Sequence, residues 1–197
     1  MELNHTVLCG VGRLLLGVVC AAGWAGCRGR GEVSETREFL AMGTVASVRA
    51  GAAETRPVAE FEAVMRSAFA EDEARLSIYR PESEISRLNQ AGTNPVAISA
   101  ETRAILAQAL RVAELSGGAF DPTIGPLVRA WGFSGGRVPT APPDAETLAA
   151  ARDRVGYRFL HLEKDRASAR IPGLFVDLGG IAKGYAVDGA WEQIAGR

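Results

Sequence analysis

Near its end the chain runs Val176-Asp177-Leu178-Gly179-Gly180-Ile181-Ala182-Lys183-Gly184-Tyr185-Ala186-Val187-Asp188, an apolar stretch, an acid, a glycine pair and a lysine in close succession. That order suits the holding of a phosphate group. Glycines let backbone approach a ligand closely, and N–H groups following Gly179 and Gly180 would face an anion at the start of a helix. Lys183 would add a mobile positive charge. Leu174 to Val176 are short and apolar enough for a buried strand, and Asp177 is placed to cap the helix that follows. The run is neither a P-loop, because Gly-x-x-x-x-Gly-Lys-[Ser/Thr] is absent, nor a Rossmann fingerprint, because no Gly-x-Gly-x-x-Gly follows the strand. The same residues also describe a capped strand-to-helix turn with a solvated lysine, and on their own they do not choose between the two.

Other chemistries find less support. The two histidines are His5, close to the start, and His161, inside a strand-like run; there is no His-Glu-x-x-His for zinc, and a Ser-His-Asp constellation would have to be built on His161. All three cysteines, Cys9, Cys20 and Cys27, lie in the first 27 residues, so the remainder has neither a disulfide framework nor a cysteine metal site. A formal net charge of -1 leaves no electrostatic footprint for nucleic acid. With 197 residues, 47% of them hydrophobic, the chain can bury a real core without disulfide support.

The elements that must position these residues can be read from periodicity and punctuation. Phe39 to Val48 predicts a strand interrupted by Gly43, and Pro57 opens an amphipathic helix that buries Phe61, Val64, Met65, Ala68 and Phe69. A second helix is capped by Ser99, buries Ile105, Leu106, Ala109, Val112 and Ala113, and stops at Gly117-Gly118. Pro122 to Trp131 predicts a shorter helical segment ending at Gly132. Residues 135–143 form a glycine- and proline-rich loop before a helix from about Asp144 to Arg154. Phe159–Leu162 and Ala167–Ile171 predict a hairpin across Lys164-Asp165, leading to the terminal strand and helix. Strands and helices mix without regular βαβ alternation or repeat, which makes the class α+β.

Three upstream segments join the terminal motif: Met42-Gly43-Thr44, the run from Leu76-Ser77-Ile78-Tyr79 through Ser83, Ser86 and Asn89, and Gly118-Ala119-Phe120-Asp121-Pro122-Thr123-Ile124-Gly125-Pro126-Leu127-Val128. In this order, from about Phe39 to the last residue, they resemble the ApbE family of FAD:protein FMN transferases. The resemblance implies an α+β fold with a mixed sheet and packed helices. It also implies transfer of FMN from FAD to a threonine or serine hydroxyl of an acceptor flavoprotein, a subunit of a redox or ion-pumping complex, with AMP leaving and Mg2+ assisting.

Residue roles implied by the resemblance fall on matching positions only. Met42 would contact the flavin, Tyr79 would border it, Ala119, Phe120 and Asp121 would lie along the cofactor, Lys183 would face the FAD phosphates, and Asp188 would sit beside it. The backbone carbonyl of Ala186 would be an oxygen ligand to magnesium. No residue is assigned as catalytic base. Read from the residues alone, Met42 also suits a core, Tyr79 a half-buried structural site, Asp121 a turn start before proline and Asp188 a solvated helix face. Ser83, Ser86 and Asn89 read as caps and loop hydrogen-bonders.

The beginning of the chain reads as an export signal. Arg13 precedes the apolar run Leu14 to Ala22, which is shorter than the roughly 20 residues of a spanning helix. Trp24-Ala25-Gly26-Cys27 then resembles a bacterial lipobox, with Trp24 where the pattern usually has leucine; plain signal cleavage and a retained anchor are the alternatives. The expectation is a lipoprotein signal over residues 1–27 with lipid on Cys27, a flexible tether over 28–36 and the domain over 37–197, anchored to a membrane on the bacterial periplasmic side. ApbE proteins continue beyond the Lys-Gly-Tyr-Ala-x-Asp motif. The domain is therefore expected to match their N-terminal part, truncated at the C-terminus and inactive in transfer by itself. The alternative function is a lipid-anchored flavin-binding or interaction module.

Overall fold

The computed structural model describes residues 33–51, 53–134 and 141–196. The expected signal segment with Cys27, the first residues of the tether and residues 135–140 of the predicted loop lie outside these.

β1 (Val33–Ala41) turns back through Met42-Gly43 into β2 (Thr44–Gly51), with Ala41 paired to Thr44 across the turn. The single interrupted strand expected here is thus an antiparallel hairpin. Both turn residues have left-handed backbone, φ +50° at Met42 and +70° at Gly43, which two-residue hairpin turns need to match the twist of their strands. β1 begins inside the expected tether, so residues 33–36 are strand.

One face of the hairpin is covered by α1 (Val58–Leu76), whose Phe61, Val64, Met65, Ala68 and Phe69 are all buried as their helical spacing predicted. They pack with Phe39, Ala46 and Val48 and with Ala186, Ala190 and Ile194 of α6 (Ala182–Ala195). Burying each large apolar side chain contributes about 1.5–3 kcal/mol.

A second core lies beside the first, formed by α2 (Glu84–Gln90), α3 (Ala100–Leu115) and a small antiparallel sheet. That sheet has the order β3-β5-β4, from β3 (Val96–Ala97), β4 (Leu160–Leu162) and β5 (Arg166–Ala169), and includes the predicted hairpin across Lys164-Asp165. Ser99 caps α3 by accepting from Thr102 N–H at 3.2 Å. Val112 departs from the expected stripe: at the margin of the helix face it stays exposed, while Ile105, Leu106, Ala109 and Ala113 are buried. Asp144 caps α5 (Ala145–Arg152) through Thr147 N–H, and that bond holds its carboxyl below the usual carboxylate range.

Helix α4 (Gly125–Ala130) begins later than the Pro122 predicted. Pro122 and Thr123 belong to a clamp instead, in which Thr123 Oγ donates to Asp121 at 2.6 Å and accepts from Gly156 N–H at 2.8 Å. The expected terminal strand is also absent. Leu174, Phe175 and Val176 are buried, yet their strand-type pairing is one parallel bridge, Ile124 to Phe175. The side chain of Asn89 takes the place of a neighbouring strand, its amide donating to Val176 O at 2.9 Å and its oxygen accepting from Val176 N–H at 2.7 Å. The α+β class holds, with the described strands divided between two small antiparallel sheets.

Candidate functional site

A cavity of about 550 Å3 opens where the hairpin turn, the end of α1, residues 76–80 and the approach to α6 meet. Met42, Tyr79 and Lys183 all line it, together with Glu73, Arg80, Phe133, Asp177 and Gly179. Its volume lies in the range of small-molecule pockets. Met42 is half-buried and touches both cores, so the cavity sits over their junction.

The loop bearing Tyr79 is held from below. Ser83, buried at the N-cap of α2, donates to Ser77 O at 2.7 Å and accepts from Ser86 N–H at 2.9 Å, and Ser86 Oγ donates to the same carbonyl at 3.2 Å. These serines are caps and organisers, as their residue types suggested. Tyr79 itself is 73% exposed at the cavity, and so is Phe133 at 69%, an apolar pairing with solvent that a planar ligand would relieve. Trp131 stacks behind Phe133, ring centres 6.4 Å apart and planes within 7°.

The segment around the glycine pair differs in detail from the expectation. Asp177 does not cap α6. It accepts from Gly179 N–H at 2.8 Å, closing a turn two residues on, and α6 starts at Ala182 with no side-chain cap. Gly179 N–H is therefore engaged, and beyond the glycine pair the N–H groups of Ile181 and Ala182, expected to face an anion, both donate to Leu178 O, at 2.9 and 2.8 Å. Lys183 stands in the first turn of α6, where no acidic residue accompanies it and the helix dipole disfavours a cation. Among the described residues it forms no ion pair, whereas Arg80 pairs with Glu73 at 3.4 Å. An anion in the cavity would relieve both the dipole and the isolated charge.

The other expected site residues are spread out. Phe120 packs behind the glycine pair, where a Cβ on Gly180 would meet its ring at 3.2 Å. Asp121 spends both carboxylate oxygens within the chain, one on Thr123 N–H and hydroxyl at 2.8 and 2.6 Å, the other on Tyr157 N–H at 2.9 Å. Ala119 is exposed beside them. Ala186 is fully buried inside α6, where its carbonyl belongs to the helical ladder. Asp188 lines a different cleft, of about 620 Å3, with Asp72, Glu101, Tyr185 and Glu192. There the Tyr185 phenol is pushed up by burial and by nearby Asp72. Among the described residues no group of three or more His, Cys, Asp or Glu side chains is placed to hold a metal ion.

Glu73, Arg80 and Phe133 were not singled out in the sequence. Glu73 follows the apolar stripe of α1 and reads as a solvated helix carboxylate, and an aromatic residue in a loop carries no sign of what it will line.

The profile of the ApbE family matches residues 42–197. A FAD:protein FMN transferase from Treponema pallidum is 36% identical over 188 residues, covering 89% of this chain and 50% of the relative. One from Vibrio cholerae is 43% identical over 115 residues, 58% of this chain and 34% of the relative. The solved flavin transferase ApbE from Vibrio cholerae superposes with a TM-score of 0.74 at 32% identity, covering 82% of this chain and 54% of that one. The apo flavinyl transferase ApbE from Pseudomonas stutzeri also gives 0.74, at 26% identity, with 87% and 57% covered. The chain thus spans roughly a third to somewhat over half of these relatives' lengths.

Proposed function

The chain belongs to the ApbE family, and we propose that it serves transfer of FMN from FAD to a threonine or serine hydroxyl of an acceptor flavoprotein, a subunit of a redox or ion-pumping complex. In that reaction the acceptor oxygen forms a bond to the FMN phosphorus, the bond from phosphorus to the bridging oxygen breaks, the hydroxyl loses its proton and AMP leaves. The observation that carries the reading is the meeting of Met42, Tyr79 and Lys183 in one cavity.

Each of these residues has work that its chemistry suits. Met42 offers a soft thioether and Tyr79 an exposed ring to the flat flavin, and Lys183 offsets charge on the phosphate oxygens as the substitution proceeds. Phe133 extends the apolar rim. Magnesium would supply further charge neutralisation, but the described residues do not fit a magnesium site. The Ala186 carbonyl is inside a helix, Glu73 and Asp177 at the cavity are engaged by donors of the chain itself, and among the described residues no group of three or more potential ligands is placed to hold a metal. Its ligands would have to come from elsewhere in the whole protein. The reading includes a lipid anchor on Cys27 and a periplasmic location, which the short apolar run and Trp24-Ala25-Gly26-Cys27 support.

Mass spectrometry of an acceptor flavoprotein incubated with the whole protein, FAD and magnesium tests the proposal, and the 197-residue chain by itself is expected to leave the acceptor unmodified. The acceptor is expected to gain FMN while an equal amount of AMP appears, and EDTA should suppress both. Tight FAD binding without any adduct would instead favour a flavin-binding module.

A further inference from the structure

Met42 has the one positive φ among the non-glycine residues described, +50°. For a residue with a Cβ this conformation is sterically disfavoured, and glycine or asparagine is the usual occupant of such a hairpin turn. Something else must hold a methionine there. Its N–H is accepted by Glu73 Oε2 at 3.3 Å, from a residue 31 positions away at the end of α1. The second oxygen of Glu73 accepts from Arg80 at 3.4 Å, one residue beyond Tyr79. All four residues line the same cavity.

We infer that Glu73 is a positioning residue of the flavin site: its bond to Met42 N–H keeps the turn left-handed and so keeps the thioether against the cavity. This rests on the reading of the cavity as a flavin site. Glu73 is a third exposed on its side chain and both its oxygens are occupied by backbone and arginine donors. It therefore acts through Met42 and the Tyr79–Arg80 loop.

The test is flavin binding to the full chain, followed by fluorescence with riboflavin and with FAD. Glu73→Ala should weaken both ligands by about tenfold and alike, because the loss falls at the ring and not at the phosphates. Glu73→Gln retains an oxygen that can accept from Met42 N–H and should restore most of the affinity. In a Met42→Ala background Glu73→Ala should produce no further loss, since the contact it positions is already gone. Glu73→Asp, one methylene too short to reach the turn, should behave as Glu73→Ala and carries the test if the alanine variant does not fold. Wild-type affinity in Glu73→Ala and Glu73→Asp, or equal losses with and without Met42, would overturn the inference while leaving the flavin reading intact. Failure of the wild-type chain to bind either ligand would overturn that reading and the inference with it.

Discussion

Replacing Gly125 with alanine is expected to destabilise the fold by about 3 kcal/mol, an overpacking penalty at the upper end of its usual range. A Cβ there would stand 2.1 Å from Phe175 Cδ1 and 2.8 Å from the Phe175 carbonyl oxygen. The ring has little room to retreat, because Phe175 is buried and the Arg129 guanidinium lies 3.5 Å from its centre. The carbonyl is held too, accepting from Gly125 N–H at 3.3 Å. Close approach of two backbones is the reason for glycine at this point. Urea unfolding measures the effect, and a variant within about 1 kcal/mol of wild type would show that the two segments separate easily. Phe175 lies two residues before Asp177, so the strain would reach the cavity wall as well.

Asn89→Asp is expected to lose a similar amount, about 3 kcal/mol at neutral pH, although it changes the shape of the side chain very little. The amide donates to Val176 O and accepts from Val176 N–H, and Val176 is fully buried. Aspartate keeps the acceptor but turns the donor into a carboxylate oxygen facing a carbonyl. Since only the protonated acid can donate, folding raises the pKa of this carboxyl above its unfolded value of about 3.9. The penalty is then small below that pH and grows as pH rises toward the folded pKa. Unfolding curves at about pH 3 and pH 7 should therefore bring the variant closer to wild type in acid. An equal deficit at both pH values would mean that the donor bond to Val176 O contributes nothing.

The contrast between these two sites explains what the sequence could and could not reveal. Phe61, Val64, Met65, Ala68 and Phe69, or Ser99 followed by Ile105, Leu106 and Ala109, are local signals whose meaning is set within a few turns of helix. The pairing of Asn89 with Val176 spans 87 residues, and nothing in either segment announces that a side chain will replace a strand. Met42 hid the hairpin because methionine is not a turn former, and the Glu73 carboxylate that accepts from its N–H comes from 31 residues away. Asp177 was legible as a capping residue, but its carboxylate accepts from Gly179 N–H before α6 begins, so close that a Cβ on Gly179 would stand 3.1 Å from it. At the site, Met42, Tyr79 and Lys183 were legible through motif resemblance and meet in the cavity, whereas Ala186 and Asp188, a turn further along α6, face the core and another cleft.

That Lys183 meets the phosphates of FAD in the Met42–Tyr79 cavity is tested most directly by titrating wild-type and Lys183→Ala chains with FAD and with riboflavin. FAD affinity should fall by about 1.5–3 kcal/mol, the range for a charge-assisted contact, which solvent exposure of the lysine places toward its lower end. Riboflavin, which carries no phosphate, should bind both chains equally well. Equal losses for the two ligands, or an unchanged affinity for FAD, would contradict this assignment of the cavity.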